Sequence, residues 1–410
     1  MTKLPETWKS STIGEVADIV RGVTYSKGDT LSATDNDAVP LLRATNLEVD
    51  SIDFEDMVYV PKRVVKAQQF LQLDDIFLAA SSGSISVVGK SAQVVKTNGE
   101  TFGAFCAVIR PKNINPKFLA YWVQSPAVRD HWSATAKGTN INNLKPSDIS
   151  ETNIPIPPID EQHKIVELLE DHLSRLDAAL ADVKQAKIRA AQFRNVYIDY
   201  FLERAKGLKT TLGSVSKFNS GFAYKSSVWQ DYGIPVVKIM NVKHREVNLE
   251  GCSYVPPEIA ESSKSFAVKK GDLLFNMTGA TLGAFGFYNL EKEARMNQRV
   301  GKFVPIHVNE LNLNYLAYFL EAASTQRTIQ ELAKGAAQPN ISPTDILSLD
   351  INLPDFGMQN AIVDELNSAL FKVSQVDQLC NITQVESKAL RRSLLQAAFT
   401  GQLAKEVVSV

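Results

Sequence analysis

The sequence is poor in cysteine, in long apolar runs and in excess charge of either sign. Its three cysteines, Cys106, Cys252 and Cys380, are odd in number and far apart, so they form neither a disulfide framework nor a zinc cluster. No apolar run reaches about 18 residues, which excludes a membrane-spanning helix. The amino terminus lacks the apolar core of a signal peptide, and we therefore expect a cytoplasmic protein.

Charge is nearly balanced, because 44 Lys and Arg residues face 45 Asp and Glu residues and the net charge is −1. A protein that holds nucleic acid alone through bulk charge carries a strong basic excess, which this chain does not have. A local basic face, or charge supplied by a partner subunit, is still compatible with these numbers. The 410 residues, 44 % apolar and 22 % charged, are typical of two or three globular domains.

We find no convincing catalytic constellation in the sequence. The stretch Gly83–Ser91 is similar to a phosphate-binding loop, but five residues separate its glycines where that loop has four. We interpret it as a tight turn between strands. The five histidines show no metal-ligand spacing, and neither a Gly-x-Ser-x-Gly elbow nor the Asn- or Asp-Pro-Pro-aromatic segment of amino-methyltransferases occurs. We therefore assign no catalytic residues.

An internal repeat of about 197 residues is the main feature of the sequence. Phe118–Leu169, compared with the residues 197 positions later, has 16 identities in 52 positions. Shorter matches precede it, such as Gly22 with Gly221 at an offset of 199. A period this long indicates two whole domains rather than a solenoid. Two similar units in one chain also tend to sit about a pseudo-two-fold axis.

Each copy has two parts, a mixed α/β domain and a long helix. Short apolar runs between Gly, Asn, Asp and Pro residues predict strands at Val16–Val20, Ile76–Leu78 and Phe105–Ile109. After Pro158, apolar residues recur at alternating spacings of 3 and 4, which indicates a heptad seam. The seam residues are Val166, Leu169, Leu173, Leu176, Leu180 and Val183 in the first copy, and Val363, Leu366, Leu370, Val373, Cys380, Leu390, Leu394 and Ala398 in the second.

The two helices are predicted to pack on each other, antiparallel, as a spacer of about 60–65 Å. Asp160 is the predicted N-cap of the first helix, and the second is predicted to begin after Gly357. The alternative is two separate amphipathic helices, each packed on its own core. The predicted order is domain, helix, domain, helix, over residues 1–155, 156–206, 207–352 and 353–410.

Both copies carry basic, amide and hydroxyl side chains near glycine-rich loops. Amide and guanidinium groups can read base edges in a groove, and lysine and hydroxyl groups can hold phosphates. The same residues could instead stabilise turns. Matched pairs are Arg43 with Lys238, Asn46 with Asn241, Ser82 with Thr278, and Lys137 with Lys334. The candidate DNA-contacting residues are Arg43, Asn46, Ser82, Lys90, Lys137, Asn140, Asn142, Lys238, Asn241, Thr278, Arg299, Lys334 and Gln338.

Two segments, together with the doubled architecture, point to a known family. The first segment contains Lys137-Gly138 and Asn143-Leu144, continues with Ile156–Gln162, and ends at Ile165-Val166. The second is the C-terminal stretch Leu390–Gly401. Over its whole length the chain resembles the specificity subunits of type I restriction–modification enzymes.

That resemblance implies α/β (α+β) target-recognition domains in duplicate, joined by two long antiparallel coiled-coil helices. Each domain would read one half of a bipartite target in double-stranded DNA, while the helices set the gap and dock two methyltransferase subunits. The chain itself would not be an enzyme and would hold no cofactor, because S-adenosylmethionine belongs to the methyltransferases, and ATP and Mg²⁺ to two restriction (translocase–nuclease) subunits. A methylation-only defence system would use the same kind of subunit. The alternative from another class is a two-headed structural adaptor that binds proteins or glycans.

Overall fold

The computed structural model describes residues 5–48, 50–136, 141–333 and 338–403. The chain divides into two compact units, a first unit of Met1–Val183 with Ile382–Val410 and a second unit of Lys184–Asn381. Both long helices pass from one unit into the other, so each unit contains one α/β domain and a segment of each helix. Among the described residues, no helix has the length and apolar character needed to cross a membrane.

The first unit is built from short strands and four short helices. Its strands are β1 (Lys9–Thr12), β2 (Ala17–Arg21), β3 (Ala38–Leu42), β4 (Val58–Pro61), β5 (Ile76–Ala79), β6 (Ser81–Ser82), β7 (Ser91–Gln93), β8 (Thr101–Phe102), β9 (Cys106–Pro111), β10 (Asn142–Asn143) and β11 (Asn153–Ile156). Its short helices are α1 (Ile13–Val16), α2 (Pro116–Gln124), α3 (Pro126–Thr135) and α4 (Pro146–Ser150). The strands form sheets in the orders β2-β9-β5-β7 and β4-β3-β8, and the pairs β1-β11 and β6-β10. The three strands predicted from the sequence are confirmed as β2, β5 and β9.

Local sequence explains where α2 begins and what it packs against. Asn115 caps the helix, because its side chain accepts a hydrogen bond from the Phe118 N–H at 3.1 Å, and Pro116 occupies the first turn. Phe118 and Trp122 are buried, and both meet Phe399 edge-on, with ring centroids 5.1 and 5.0 Å apart. The end of the C-terminal helix is thus part of the first unit's core.

The second unit repeats this arrangement. Its strands are β12 (Leu208–Thr211), β13 (Ser216–Ser220), β14 (Ile234–Val237), β15 (Val242–Lys243), β16 (Arg245–Val247), β17 (Ser253–Val255), β18 (Ala267–Val268), β19 (Leu273–Asn276), β20 (Phe285–Phe287), β21 (Ala294–Met296), β22 (Val300–Pro305) and β23 (Asp350–Leu353). Its short helices are α6 (Leu212–Val215), α7 (Pro257–Ser262), α8 (Leu313–Glu321), α9 (Ala323–Leu332) and α10 (Pro343–Leu347). The sheet orders are β13-β22-β19-β20-β16-β15 and β17-β14-β21-β18, with the pair β12-β23.

The long helices are α5 (Ile159–Arg204) and α11 (Phe356–Phe399). The carbonyl of Pro158 accepts hydrogen bonds from the N–H groups of the two residues after Asp160. Asp160 therefore lies inside the first turn, and its prediction as the N-cap is wrong. The second helix begins at Phe356, before Gly357, because the Asp355 carboxylate accepts a hydrogen bond from the Met358 N–H at 2.9 Å and caps the turn earlier than predicted.

A glutamine in the first turn of each long helix makes the same contacts in both units. Gln162 accepts a hydrogen bond from the Asn115 N–H at 3.0 Å and donates one to the Pro157 carbonyl at 2.9 Å. Gln359 makes the matching bonds to the Asn312 N–H and the Pro354 carbonyl, both at 2.9 Å. Both amides are buried, so the sequence match at an offset of 197 reflects the same junction between helix and domain.

Within each unit the two helix segments run antiparallel, as predicted. In the second unit Lys187 donates a hydrogen bond to the Asn381 side chain at 2.9 Å, and Tyr197 donates one to Glu365 at 3.2 Å. Residue numbers thus rise along one segment as they fall along the other. These contacts exclude the alternative of two separate helices, each packed only on its own core.

The heptad seam is buried near the domains and less regular elsewhere. Leu169 and Leu173 lie in the first unit's core, and Leu366 and Leu370 lie in the second unit's core. Leu390 is 50 % exposed, so its seam assignment is wrong. The neighbouring Arg391 faces the domain at that turn of α11.

The C-terminal helix ends beside Pro5, the first residue that the structure describes. Gly401 has a φ of +74°, the left-handed conformation that glycine adopts most readily after a helix. A Cβ atom at this position would lie 2.5 Å from the Pro5 Cγ. The two ends of the described chain therefore touch within the first unit.

Candidate nucleic-acid interface

A cleft of about 620 Å³ opens in the first unit where several strand ends and turns meet. We call it the first cleft. It is lined by Val23, Thr24, Tyr25, Arg43, Ala44, Thr45, Ser81, Ser82, Gly83, Gly103, Ala104, Phe105, Cys106 and Ile141. Most of these residues come from turns that follow strands, so their side chains are presented by a rigid scaffold.

Gly22 and the matching Gly221 lie where two stretches of backbone approach each other closely, beside this site. A Cβ atom on Gly22 would lie 2.1 Å from the Gly103 carbonyl oxygen, and one on Gly221 would lie 2.3 Å from that of Asn297. Only glycine allows this contact between two neighbouring turns. The matched glycines hold in place the turn that begins with Gly103 in the first unit and with Asn297 in the second.

The matched basic residues Arg43 and Lys238 are both held by neighbours. Arg43 lines the first cleft, and its Nη2 lies 3.1 Å from the Asp56 carboxylate. Its Nε is buried and has no protein acceptor among the described residues. Lys238 donates a hydrogen bond to the Ser253 hydroxyl at 2.6 Å, and its Nζ lies 4.1 Å from the centre of the Trp229 ring, a cation–π contact.

Asn46 and Asn241 are buried turn residues, which corrects their assignment as DNA contacts. The Asn46 side chain accepts a hydrogen bond from the Arg43 N–H at 2.8 Å and donates to two carbonyls, those of Asp53 and Glu55. Asn241 accepts one from the Lys238 N–H at 3.0 Å and donates to the Glu250 carbonyl at 3.0 Å. Because the backbone occupies both amides, we remove them from the contact surface.

The predicted match of Ser82 with Thr278 is wrong, because the residue that corresponds to Thr278 is Ser81. Ser81 pairs with Asn143 across β6 and β10, and Thr278 forms the matching bridge with Asn340. Thr278 is buried and donates to the Pro339 carbonyl at 3.1 Å, so it has a structural role. The sequence comparison was wrong by one residue at this loop.

The remaining candidates fall into four groups. Ser82 lines the first cleft, and the Asn142 amide beside it donates to the Gly83 carbonyl at 3.2 Å. Lys90 is half-buried and donates to the Leu47 carbonyl, which uses its ammonium group within the fold. Arg299 and Gln338 are exposed. Outside the described residues lie Lys137, Asn140 and Lys334.

The sequence analysis missed two apolar side chains in the first cleft. Phe105 is 64 % exposed and Ile141 is 54 % exposed, although both types of side chain are normally buried. The Phe105 carbonyl accepts hydrogen bonds from the backbone at the end of β5, and the Arg299 carbonyl accepts the matching bond at the end of β19. Strand pairing also places Gln338 at the position of Ile141. The two units therefore present different chemistry from equivalent backbone positions.

The chemistry of these positions favours recognition over catalysis. Exposed apolar groups can contact a thymine methyl group, whereas arginine and glutamine can each form paired hydrogen bonds with a purine edge. Cys106 lies at the base of the first cleft, and burial raises the pKa of its thiol to about 12, so it carries no thiolate at neutral pH. Across the ranges that the structure describes, no three His, Cys, Asp or Glu side chains gather closely enough to hold a metal ion.

Comparison with known proteins gives a consistent result. The family model for the type I restriction modification DNA specificity domain matches residues 5–189 and 208–381. The type I restriction enzyme EcoKI specificity subunit of Escherichia coli K12 is 30 % identical over 420 residues, which covers 98 % of this chain and 90 % of that protein. The StySPI specificity subunit of Salmonella potsdam is 28 % identical over 418 residues, with the same coverage.

Solved structures agree at the level of the fold. A chain from a structure of complex assembly and conformational transition in a type I R-M system has a TM-score of 0.78 at 19 % identity, covering 98 % of this chain and 99 % of that one. The HsdS subunit of Thermoanaerobacter tengcongensis has a TM-score of 0.57 at 19 % identity, with 98 % of both chains covered. With its duplicated α/β domains, its paired long helices and these matches, the chain belongs to the family of type I restriction–modification DNA specificity subunits.

Proposed function

We propose that this chain is the DNA sequence-recognition subunit of a type I restriction–modification enzyme, in which each unit reads one half of a bipartite double-stranded target. The observation that carries the proposal is a difference at two matched positions. Phe105 in the first unit corresponds to Arg299 in the second, and Ile141 corresponds to Gln338. Equivalent backbone with different side chains suits two readers of different sequences. Family membership supports the same role and gives no support to a two-headed adaptor for proteins or glycans.

The two units should prefer different bases. In the first, Phe105 and Ile141 provide apolar surface beside Arg43, which suits a thymine methyl group near a phosphate or a guanine. In the second, Arg299 suits the O6 and N7 atoms of guanine, and Gln338 suits the N6 and N7 atoms of adenine. The proposed DNA-contacting residues are therefore Arg43, Phe105 and Ile141 in one unit and Lys238, Arg299 and Gln338 in the other.

The chain is proposed to act without catalysis of its own. It would assemble with two methyltransferase subunits that hold S-adenosylmethionine and with two restriction subunits that use ATP and Mg²⁺. The net charge of −1 supports this division of labour, because a specificity subunit that held DNA unaided would need more basic charge to neutralise phosphates. We therefore expect sequence-specific binding to require the methyltransferase.

The long helices are the proposed docking surface for the methyltransferase subunits. In the second unit they expose several large apolar side chains that the domain core does not cover: Ile188, Phe193, Val196, Tyr200, Phe371, Val376 and Leu379. Such a concentration of exposed apolar side chains is typical of a protein-binding surface. Phe371, at 63 % exposed, is the best single position for a test, and Phe371→Asp should reduce co-purification with the cognate methyltransferase while leaving the thermal unfolding temperature of the chain unchanged.

Methylome sequencing tests the recognition proposal directly. The chain is expressed with its cognate methyltransferase in a host that lacks adenine methylation, and the modified motif is determined. We expect a two-part motif with an unspecified gap. Exchange of residues 1–155 for the corresponding domain of another family member should then change one half of the motif only. A motif without two parts, or a chimera that alters both halves, would contradict the proposal.

A further inference from the structure

Two non-glycine residues hold the left-handed backbone conformation at equivalent turns. Asp50 and Arg245 both have a φ of +59°. The bridge between Leu47 and Ile52 in the first unit and the pairing of β15 with β16 in the second show that the turns correspond. Aspartate adopts this conformation more readily than most residues other than glycine, whereas arginine adopts it rarely, and such residues persist where surrounding contacts fix them.

In the first unit the contact that fixes the turn comes from a long helix. Arg391 on α11 forms an ion pair with Asp50, and its Nη1 lies 3.1 Å from the Asp177 carboxylate on α5. Burial raises the pKa of Asp50, and the positive charge of Arg391 opposes that shift. Gln124, the last residue of α2, lines the same cavity of about 450 Å³ as Asp50 and Arg391. The turn is thus joined to both helices by charge.

In the second unit the same place is occupied by a different set of charges. Arg194 on α5 lies 197 positions before Arg391, and its Nε is 2.5 Å from the Glu321 carboxylate. The other oxygen of Glu321 accepts a hydrogen bond from Arg245 at 2.8 Å. Glu321 is only 6 % exposed, and it is the last residue of α8, as Gln124 is of α2. Because the turn residue has changed from acidic to basic, the glutamate bridges two arginines.

We propose that Arg391 and Arg194 are positioning residues that fix the turn of each unit to the long helix and so hold the DNA-facing surface on it. In the first unit the chain continues from Asp50 to Asp56, which pairs with Arg43 at the first cleft. A charge contact at each end of this short segment therefore joins the helix to the cleft. The inference rests on the proposed function for its effect on DNA, whereas the contact itself can be tested without DNA.

The test exchanges the charge pattern of one unit for that of the other. Asp50→Arg should leave two arginines facing each other, and adding Gln124→Glu should recreate the bridge of the second unit. Hydrogen–deuterium exchange of the full chain reports on the turn through the Asp53 N–H, which donates to the Asn46 carbonyl at 2.8 Å. We expect exchange over residues 47–57 to become roughly threefold to tenfold faster in the single variant, and to return to the original rate in the double variant.

Two further sets of variants keep the test decisive. Glu48→Arg makes the same charge change in the same turn, at an exposed residue with no ion pair in the described part of the chain, and should leave exchange unchanged. In the second unit, Arg245→Asp should speed exchange over residues 242–250, and adding Glu321→Gln should restore it. This second pair decides the question if Asp50→Arg does not fold. Unchanged exchange in the single variants, or no recovery in the double variants, would overturn the proposal.

Methylation with the cognate methyltransferase provides the functional measurement. Asp50→Arg should lower the ratio of methylation at the correct first half-site to that at single mismatches by about threefold or more, with the other half-site unaffected and the ratio recovered by Gln124→Glu. Equal loss at both half-sites would refute local positioning. If the unaltered chain directs no two-part methylation at all, the proposed function fails, and the exchange measurement still decides whether the contact exists.

Discussion

Lengthening both long helices at matched points should lengthen the gap between the half-sites that the chain recognises. The change is an insertion of four helix-forming residues after Val183 in α5 and four more after Asn381 in α11, the points at which each helix passes between the units. Contacts on both sides, such as Lys187 with Asn381 and Arg391 with Asp177, then keep their partners. Insertion into one helix alone would shift these pairs out of register and serves as the control.

Helix and DNA geometry give the size of the effect. Four residues add about 6 Å at 1.5 Å per residue, which corresponds to about two base pairs at 3.4 Å each. Four residues also exceed one helical turn by about 40°, and two base pairs rotate DNA by about 70°. The difference of about 30° is small enough for the four-residue variant to remain active. A seven-residue insertion adds about three base pairs of length but falls about 20° short of two turns, whereas the DNA rotates by about 105°.

The assay is methylome sequencing of cells that express each variant with the cognate methyltransferase. We expect the four-residue double insertion to methylate a motif with both half-sites unchanged and a gap longer by about two base pairs. The seven-residue double insertion should lose activity, because its rotation does not match the DNA. Full methylation at the original gap in the four-residue variant would refute a rigid spacer, and so would equal activity of the four-residue and seven-residue variants.

Three further predictions follow from individual side chains. Arg299→Ala should relax specificity in one half of the target, and Phe105→Ala in the other, each weakening binding of the assembled complex by about 1–3 kcal/mol in titrations against half-site mutants. Asn46→Ala should destabilise the first unit by about 1–3 kcal/mol in denaturant titrations, because it leaves buried backbone groups without partners. Asn340 is exposed, so the control Asn340→Ala should change the unfolding free energy by less than about 0.5 kcal/mol. At pH 8 Cys106 should resist alkylation while the partly exposed Cys252 reacts, because a pKa of about 12 leaves about one Cys106 thiol in 10⁴ ionised; mass spectrometry of the alkylated chain measures both.

The repeat, the strands β2, β5 and β9, and the two long helices could be predicted because each depends on a local pattern. Apolar spacing identifies a helix or a strand without knowledge of its partners. A repeat of two whole units needs only comparison of the sequence with itself. Packing of the two helices on each other follows from the apolar seam, but the seam does not give their direction, and Leu390 shows that it does not determine which face meets a domain either.

The contact surface was harder to predict because it depends on distant partners. Asn46 has the side chain of a base-reading residue, but its amide is bonded by turn backbone up to nine residues away, which spacing does not reveal. Phe105 was placed within a predicted strand, where an apolar residue indicates burial, yet it lies one position before β9 and is exposed. Aligning its turn with that of Arg299 at an offset of 194 would have shown an apolar residue opposite a basic one.

The contact between Gly401 and Pro5 has a consequence for how such chains can change. The first unit contains both the first and the last described residues of the chain, and Gly401 lies close to Pro5 within it. A short linker from residue 403 to residue 5, with a new opening at the exposed junction between α5 and β12, should give a circular permutant with the same contacts. The fold then does not depend on which of the two α/β domains comes first in the sequence. A gene rearrangement could exchange the order of the domains and leave the recognised target the same.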